Sequence, residues 1–271
     1  MSLVPHKQQP HCIGETDYSK RPHVVFYNLN NAGASAIVPI ISELLTEKFQ
    51  YRALGDPANS IEFVERFTEG APVFHWTHSP VNVFERFLDR EDFQFICLYR
   101  DPRDVLVSNV KDLIHRELHE GRTEKKLYLD YIRSEFFGMY HYADEWIHLN
   151  QPNVHTLSFE ELKRDVPASV RSILQSLGLG MSDPELREVC KQHSFEVVTG
   201  RKCGEDGPTV RTGFMFRKGI SGDWKNEFDD DVREAFHEHF DYFLQRWDYV
   251  DGEAENQRTA THSVNTHIAK A

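Results

Sequence analysis

Four short apolar runs, interleaved with stretches of helical periodicity, govern how this chain can fold. His23 to Asn28 (HVVFYN), Pro72 to Thr77, Gln94 to Tyr99 (QFICLY) and Asn153 to Leu157 are rich in β-branched and aromatic residues and read as strands. QFICLY is apolar without alternation, as a strand covered on both faces must be. Between these runs the period changes. Ala34 to Gln50 places Ile37, Ile40, Ile41, Leu44 and Leu45 on one helical face, with Pro39 early enough to be tolerated. Pro102 opens a second helix that turns Val105, Leu106, Val110 and Leu113 inward. Lys126 to Leu149 reads as one long aromatic-rich helix, and further helices are expected over Val166 to Leu177, Pro184 to Cys190 and Asp229 to Leu244. There is no internal repeat. Strands that alternate with helices predict a single α/β domain. Its parallel sheet of four or five strands is flanked by helices, and its ligand sits at the carboxyl ends of the strands.

Thr199 to Gly222 breaks the pattern, with six glycines, several cations and few apolar residues. It is expected to be a long loop without secondary structure, either functional or disordered. Residues 1–21 read as an N-terminal extension, 22–250 as the domain, and 251–271 as a polar tail expected to be disordered. A net charge of −12 argues against a nucleic-acid partner, which needs an excess of cations, so any anionic ligand must be held by a few local positive groups. No apolar run nears the roughly 18 residues of a membrane span, and the first residues carry no apolar stretch of a secretory signal. The four cysteines form no CxxC pair and suit reduced thiols, so the expected location is cytoplasmic. No HExxH or paired His/Cys spacing is present, and no metal is expected.

Chemistry concentrates in three segments. Asn28-Leu29-Asn30-Asn31-Ala32-Gly33-Ala34-Ser35 joins a strand to a helix, a place where backbone amides and a helix N-terminus favour an anion. A tight turn with no ligand is the equally simple reading. The turn lacks the lysine of a GxxxxGK[ST] loop, which counts against an NTP-dependent kinase. The second segment, Arg100-Asp101-Pro102-Arg103-Asp104-Val105-Leu106-Val107-Ser108, presents an arginine at a strand end and a hydroxyl two helical turns later. That pair suits a phosphate clamp, although an Arg–Asp surface pair at a helix start is a common alternative. The third, Phe216-Arg217-Lys218-Gly219-Ile220-Ser221-Gly222-Asp223-Trp224-Lys225-Asn226, puts adjacent cations in a loop of an acidic protein, as a solvated loop with a packed tryptophan also would.

Together the three segments resemble the PAPS-dependent sulfotransferases, chiefly the cytosolic small-molecule branch (PAPS being 3′-phosphoadenosine 5′-phosphosulfate). The family pattern RKGxxGDWKNxF is matched at every fixed position from Arg217 to Phe228, and R-[ND]-P-[KR]-D-x-x-x-S from Arg100 to Ser108. Thr77-His78-Ser79-Pro80 is similar to the family's T-H-x-P. The likeness runs in order from about residue 22 to 245. It implies that Arg100, Ser108, Arg217, Lys218 and Gly219 hold the 3′-phosphate of the nucleotide. The turn Asn31, Ala32, Gly33, Ala34 and Ser35 would take the 5′-phosphosulfate, with Phe159 and Phe195 beside the adenine. His78 would be the general base for a small-molecule acceptor, with PAP as the nucleotide product and no metal.

The family's first motif, PKSGTTW, is not matched in full. Aligning Gly33 on its glycine puts Asn31 at the lysine, Ala34 at one threonine and Ala36 at the tryptophan. Two readings follow. One is a working sulfotransferase that modifies a hydroxyl, amine or guanidine of a small molecule, such as a bacterial natural product. The other is a PAP- or PAPS-binding module with weakened catalysis. His75 and the tyrosines from Tyr128 to Tyr142 are candidates for the acceptor wall, and the acidic charge favours neutral or cationic acceptors over polyanions.

Overall fold

The computed structural model describes residues 21–53, 60–67, 70–134, 137–207, 209–211 and 214–249. The expected extension before residue 21 and the expected tail 251–271 lie outside them. Five parallel strands form one sheet in the order β2-β3-β1-β4-β5. They are β1 His23–Asn28, β2 Arg52–Ala53, β3 Val73–Thr77, β4 Phe93–Tyr99 and β5 Val154–Ser158. β1 lies in the centre, Val24 paired with Phe74 of β3 on one side and with Gln94 of β4 on the other. The chain builds outward from β1 toward β2 and β3, then crosses to β4 and β5. The carboxyl ends of β1 and β4 therefore flank the point where strand order reverses, the usual crevice for a ligand in such sheets.

Every side chain of β1 is buried, because helices cover both faces. Alternation sorts them: Val24 and Phe26 join one cluster with Ile37, Ile40, Ile41 and Leu174, while Val25 and Tyr27 join another with Trp146, Phe236, Phe240 and Phe243. The first cluster lies under α1 (Ala34–Glu43), α7 (Phe159–Arg164), α8 (Val166–Ser176) and α9 (Asp183–Gln192). The second lies under α4 (Pro102–His115), α5 (Glu124–Ile132), α6 (Phe137–Ile147) and α12 (Asp230–Arg246). α1 runs on into a wider π turn over Leu44–Lys48, so the five residues assigned to one apolar face are all buried.

Two expectations need correction. Lys126 to Leu149 is not one helix: α5 ends at Ile132, and α6 begins at Phe137. At the break Ser134 donates to the Tyr131 carbonyl from both its amide, at 3.2 Å, and its hydroxyl, at 2.9 Å, a tighter turn than the i→i−4 bond of a continuing helix. The stretch from Thr199 to Gly222 is not without structure. Thr209–Arg211 and Phe214–Phe216 pair antiparallel as β6 and β7, and three-residue strands are too short to show a period in sequence. Short helices at α2 (Ser60–Arg66), α3 (Glu85–Leu88), α10 (Phe195–Thr199) and α11 (Trp224–Glu227) complete the domain. Among the described residues no helix is long and apolar enough to cross a membrane.

Candidate active site

A cavity of about 1040 Å³ opens at the carboxyl ends of the strands. Asn31, Gly33, Ala34, Ser35, His78, Arg100, Ser108, Phe159, Phe195, Arg217, Lys218 and Gly219 all reach its wall. Ala32 does not: its side chain is buried in the core, and its amide donates to the Leu29 carbonyl at 2.9 Å, closing the turn. α1 starts at Ala34, so the amides of Ala34 and Ser35 have no acceptor within the helix, whereas that of Ala36 donates to the Gly33 carbonyl at 2.9 Å; all three residues line the cavity. Gly33, at φ 98°, makes the turn possible, and the Phe159 ring fills the space where a side chain would stand.

The second and third segments are knotted by one carboxylate. Asp104 is buried in α4 and accepts from the amides of Gly222 at 2.6 Å and Trp224 at 3.0 Å. It also faces Arg100 Nη2 at 3.3 Å. Arg100 donates onward to Ser108 Oγ at 3.3 Å and to the Ile220 carbonyl at 2.8 Å, with its guanidinium 4.4 Å from the centre of the Phe159 ring. Arg103 lies over the Trp224 ring at 4.0 Å. The adjacent cations of the loop are held by acids: Arg217 Nη2 donates to Asp223 at 2.6 Å, and Lys218 reaches Asp223 at 2.9 Å and Glu227 at 3.2 Å. Burial opposes ionisation of Asp223, but hydrogen bonds from Lys218, Asn226 and Arg217 prevail and bring its pKa to about 2. Three guanidinium nitrogens, Arg100 Nε and Arg217 Nε and Nη1, are buried without a hydrogen bond among the described residues, although Arg217 Nη1 stands 3.6 Å from Glu227 Oε1. Arginines that line one cavity and still have hydrogen-bonding capacity to spare fit an anionic ligand.

His78 is set up differently. Its Nδ1 lies 2.8 Å from the Asn28 carbonyl, which can only accept, so Nδ1 carries the proton and Nε2 is left as the basic nitrogen. Burial lowers its pKa, against the opposing pull of that hydrogen bond, so the ring is neutral at pH 7. Trp76 packs edge-on against it at 5.4 Å and donates to Asn28 Oδ1. Of the proposed acceptor wall, Tyr131 lines the cavity, together with Trp76, Asp112, Leu113 and Arg116. His75 does not; it is buried against Phe63 and hydrogen-bonded to Ser60 at 3.0 Å. Tyr128 and Tyr140 belong to the core.

The Sulfotransferase domain family model matches residues 18–248, most of the chain. The chain belongs to the sulfotransferase family. Among curated members of that family it is 30% identical to human Sulfotransferase 2A1 over 173 residues, 59% of each chain. It is 29% identical to rat Sulfotransferase 2A2 over 169 residues, again 59% of each, so the chain spans less than two thirds of these relatives. With human Sulfotransferase 6B1 it shares 24% identity over 252 residues, 83% of this chain and 77% of the other. The fold is that of mouse sulfotransferase SULT7A1, solved in complex with PAP: TM-score 0.65, 19% identity, covering 90% of this chain and 89% of that one. Retinol dehydratase, solved with androsterone and PAP, matches at TM-score 0.59 and 18% identity, covering 84% and 82%.

Asn28, Trp76, Asp104 and Asn109 were given no role in the sequence reading, although all four shape the site. Asp104 and Asn109 had a signal, since one lies inside the Arg100–Ser108 motif and the other directly follows it.

Proposed function

We propose that this sulfotransferase-family chain is an active enzyme that moves a sulfuryl group from PAPS to a hydroxyl, amine or guanidine of a small molecule, releasing PAP. One observation carries the reading: His78, its Nδ1 against the Asn28 carbonyl and its Nε2 left over, lines the same cavity as Arg100, Arg217 and the N-terminus of α1. A pure binding module would need the donors but not the poised base. The PAP named in the SULT7A1 and retinol dehydratase complexes supports the choice of nucleotide.

In this reading Arg100, Ser108, Arg217, Lys218 and Gly219 grip the 3′-phosphate. Asn31, the amides of Ala34 and Ser35 and the Ser35 hydroxyl take the 5′-phosphosulfate. Phe159 and Phe195, one ring against Gly33 and the other against Gly219, border the adenine. Lys163, Arg164, Arg187 and Lys191 on the cavity wall offset the acidic whole and attract a polyanionic donor. The donor brings an activated sulfur–oxygen bond. His78 Nε2 takes the acceptor's proton as its oxygen or nitrogen attacks, and the fixed donors stabilise the charge left behind, so no metal is required.

Asp112, Arg116, Tyr131 and Trp76 give the acceptor end a polar, ring-lined wall that suits a polar acceptor such as a hydroxylated or guanidinium-bearing natural product. Incubation with labelled PAPS and a panel of phenols, sterols, alcohols, amines and guanidines tests the proposal. Label should reach at least one small acceptor. Tight PAP binding with no transfer to any of them would favour the binding module instead.

A further inference from the structure

Asn109 follows Ser108 on α4 and faces the same cavity, yet no motif above includes it. It is 5% exposed. Asn31 Nδ2 donates to its Oδ1 at 2.6 Å, while its own Nδ2 is buried without a hydrogen-bond partner among the described residues. Two carboxamides joined by one N–H and one carbonyl keep N–H groups to spare whichever way round the amides are turned. A buried amide with no partner is costly in a folded protein and calls for an explanation. Asn31 stands at φ 59°, a left-handed backbone that asparagine tolerates better than most residues. The turn therefore holds its amide in place and, through it, that of Asn109.

We propose that Asn109, braced by Asn31, donates a hydrogen bond to the 5′-phosphate side of the nucleotide bound at the turn. The inference rests on the donor being PAPS, as read above. When the acceptor–sulfur bond forms and the bond between sulfur and the bridging oxygen breaks, the electron pair stays on the phosphate oxygen and the acceptor's proton passes to His78 Nε2. The paired amides meet that charge with neutral donors, at a turn where the family pattern has a lysine. Asn109 is then a catalytic residue of this chain and not a mere support for the turn.

Isothermal titration of the full chain with PAP and with adenosine 3′-monophosphate, which lacks the 5′-phosphate, tests this. Asn109→Ala should weaken PAP by about tenfold, as loss of a hydrogen bond to a charged group does. Asn109→Asp should weaken it by about a hundredfold, because a carboxylate then faces the phosphate. Both variants should bind adenosine 3′-monophosphate like the wild type. The aspartate still accepts from Asn31 Nδ2, so if Asn109 only braces the turn, Asn109→Asp will bind PAP normally and the inference falls. Should the variants fail to fold, the wild-type protein decides. The assigned side-chain amide signal of Asn109 should shift on adding PAP and stay put with adenosine 3′-monophosphate; an unmoved signal with PAP overturns the inference. Wild-type protein that does not bind PAP at all overturns the nucleotide reading, and the inference with it.

Discussion

Gly33→Ala separates backbone strain from steric overlap at the floor of the site. The glycine sits at φ 98°, where an L-residue is strained by about 1–2 kcal/mol. The new Cβ would also stand 2.3 Å from Phe159 Cδ2 and 2.4 Å from Cε2. The ring has little room to yield, being 3% exposed with the Arg100 guanidinium over its face. Such overpacking adds about 1–3 kcal/mol, for a total loss of about 2–5 kcal/mol. With Phe159→Ala as background the overlap disappears and only the strain of about 1–2 kcal/mol remains. Equilibrium urea unfolding of the four proteins at 25 °C closes the cycle, and the two changes should couple by about 1–3 kcal/mol. An equal loss in both backgrounds, or a Gly33→Ala protein within about 0.5 kcal/mol of wild type, would refute the picture of the ring seated on the glycine.

His78→Ala should abolish transfer while PAP affinity, read by calorimetry, hardly changes, since the loss belongs to the transition state. Because burial lowers the pKa of His78, transfer should stay level through pH 7 and decline only below the ordinary imidazole range. Over the same acid range the unfolded chain binds the proton more readily than the folded one, so His78 contributes stability that is lost as pH falls; a pH–rate profile with its acid limb above pH 7 would contradict this. Arg100→Ala and Arg217→Ala should each weaken PAP by about 1.5–3 kcal/mol, and adenosine 5′-phosphosulfate, without the 3′-phosphate, should bind far more weakly to the wild type. Asn31→Lys should lower thermal stability, because lysine meets the left-handed backbone at φ 59° and breaks the bond to Asn109, and it should not raise the transfer rate; a faster enzyme would show that the missing cation is what limits turnover.

The central sheet was legible because β1 and β4 are covered on both faces and so carry unbroken apolar runs, Val24 to Tyr27 and Phe95 to Tyr99. The residues of the three segments were legible because each contacts the cavity from a contiguous stretch of chain. What joins them was not. The partner of His78 is a backbone carbonyl, and the contacts of Asp104 with Gly222 and Trp224 are to backbone amides, groups that every residue offers and no sequence distinguishes. At the end of α5 the Ser134 amide and hydroxyl both turn back to the Tyr131 carbonyl, a local choice that helical spacing does not record. The pairing of Asn31 with Asn109 depends on how the turn and α4 converge at the sheet edge, which follows from the strand order and not from either segment alone.

Asp104 ties the loop that carries Arg217 and Lys218 to the end of β4. Its one carboxylate is shared by a side chain from the end of β4, the Gly222 amide of the loop and the Trp224 amide that opens α11, so strand end and loop are held to one another. Lifting the loop would strip a deeply buried anion of two of its donors at once, and half-open positions would gain nothing from having lost only one. In the proposed function the time a nucleotide stays bound then depends on how rarely that carboxylate releases the loop that carries Arg217 and Lys218.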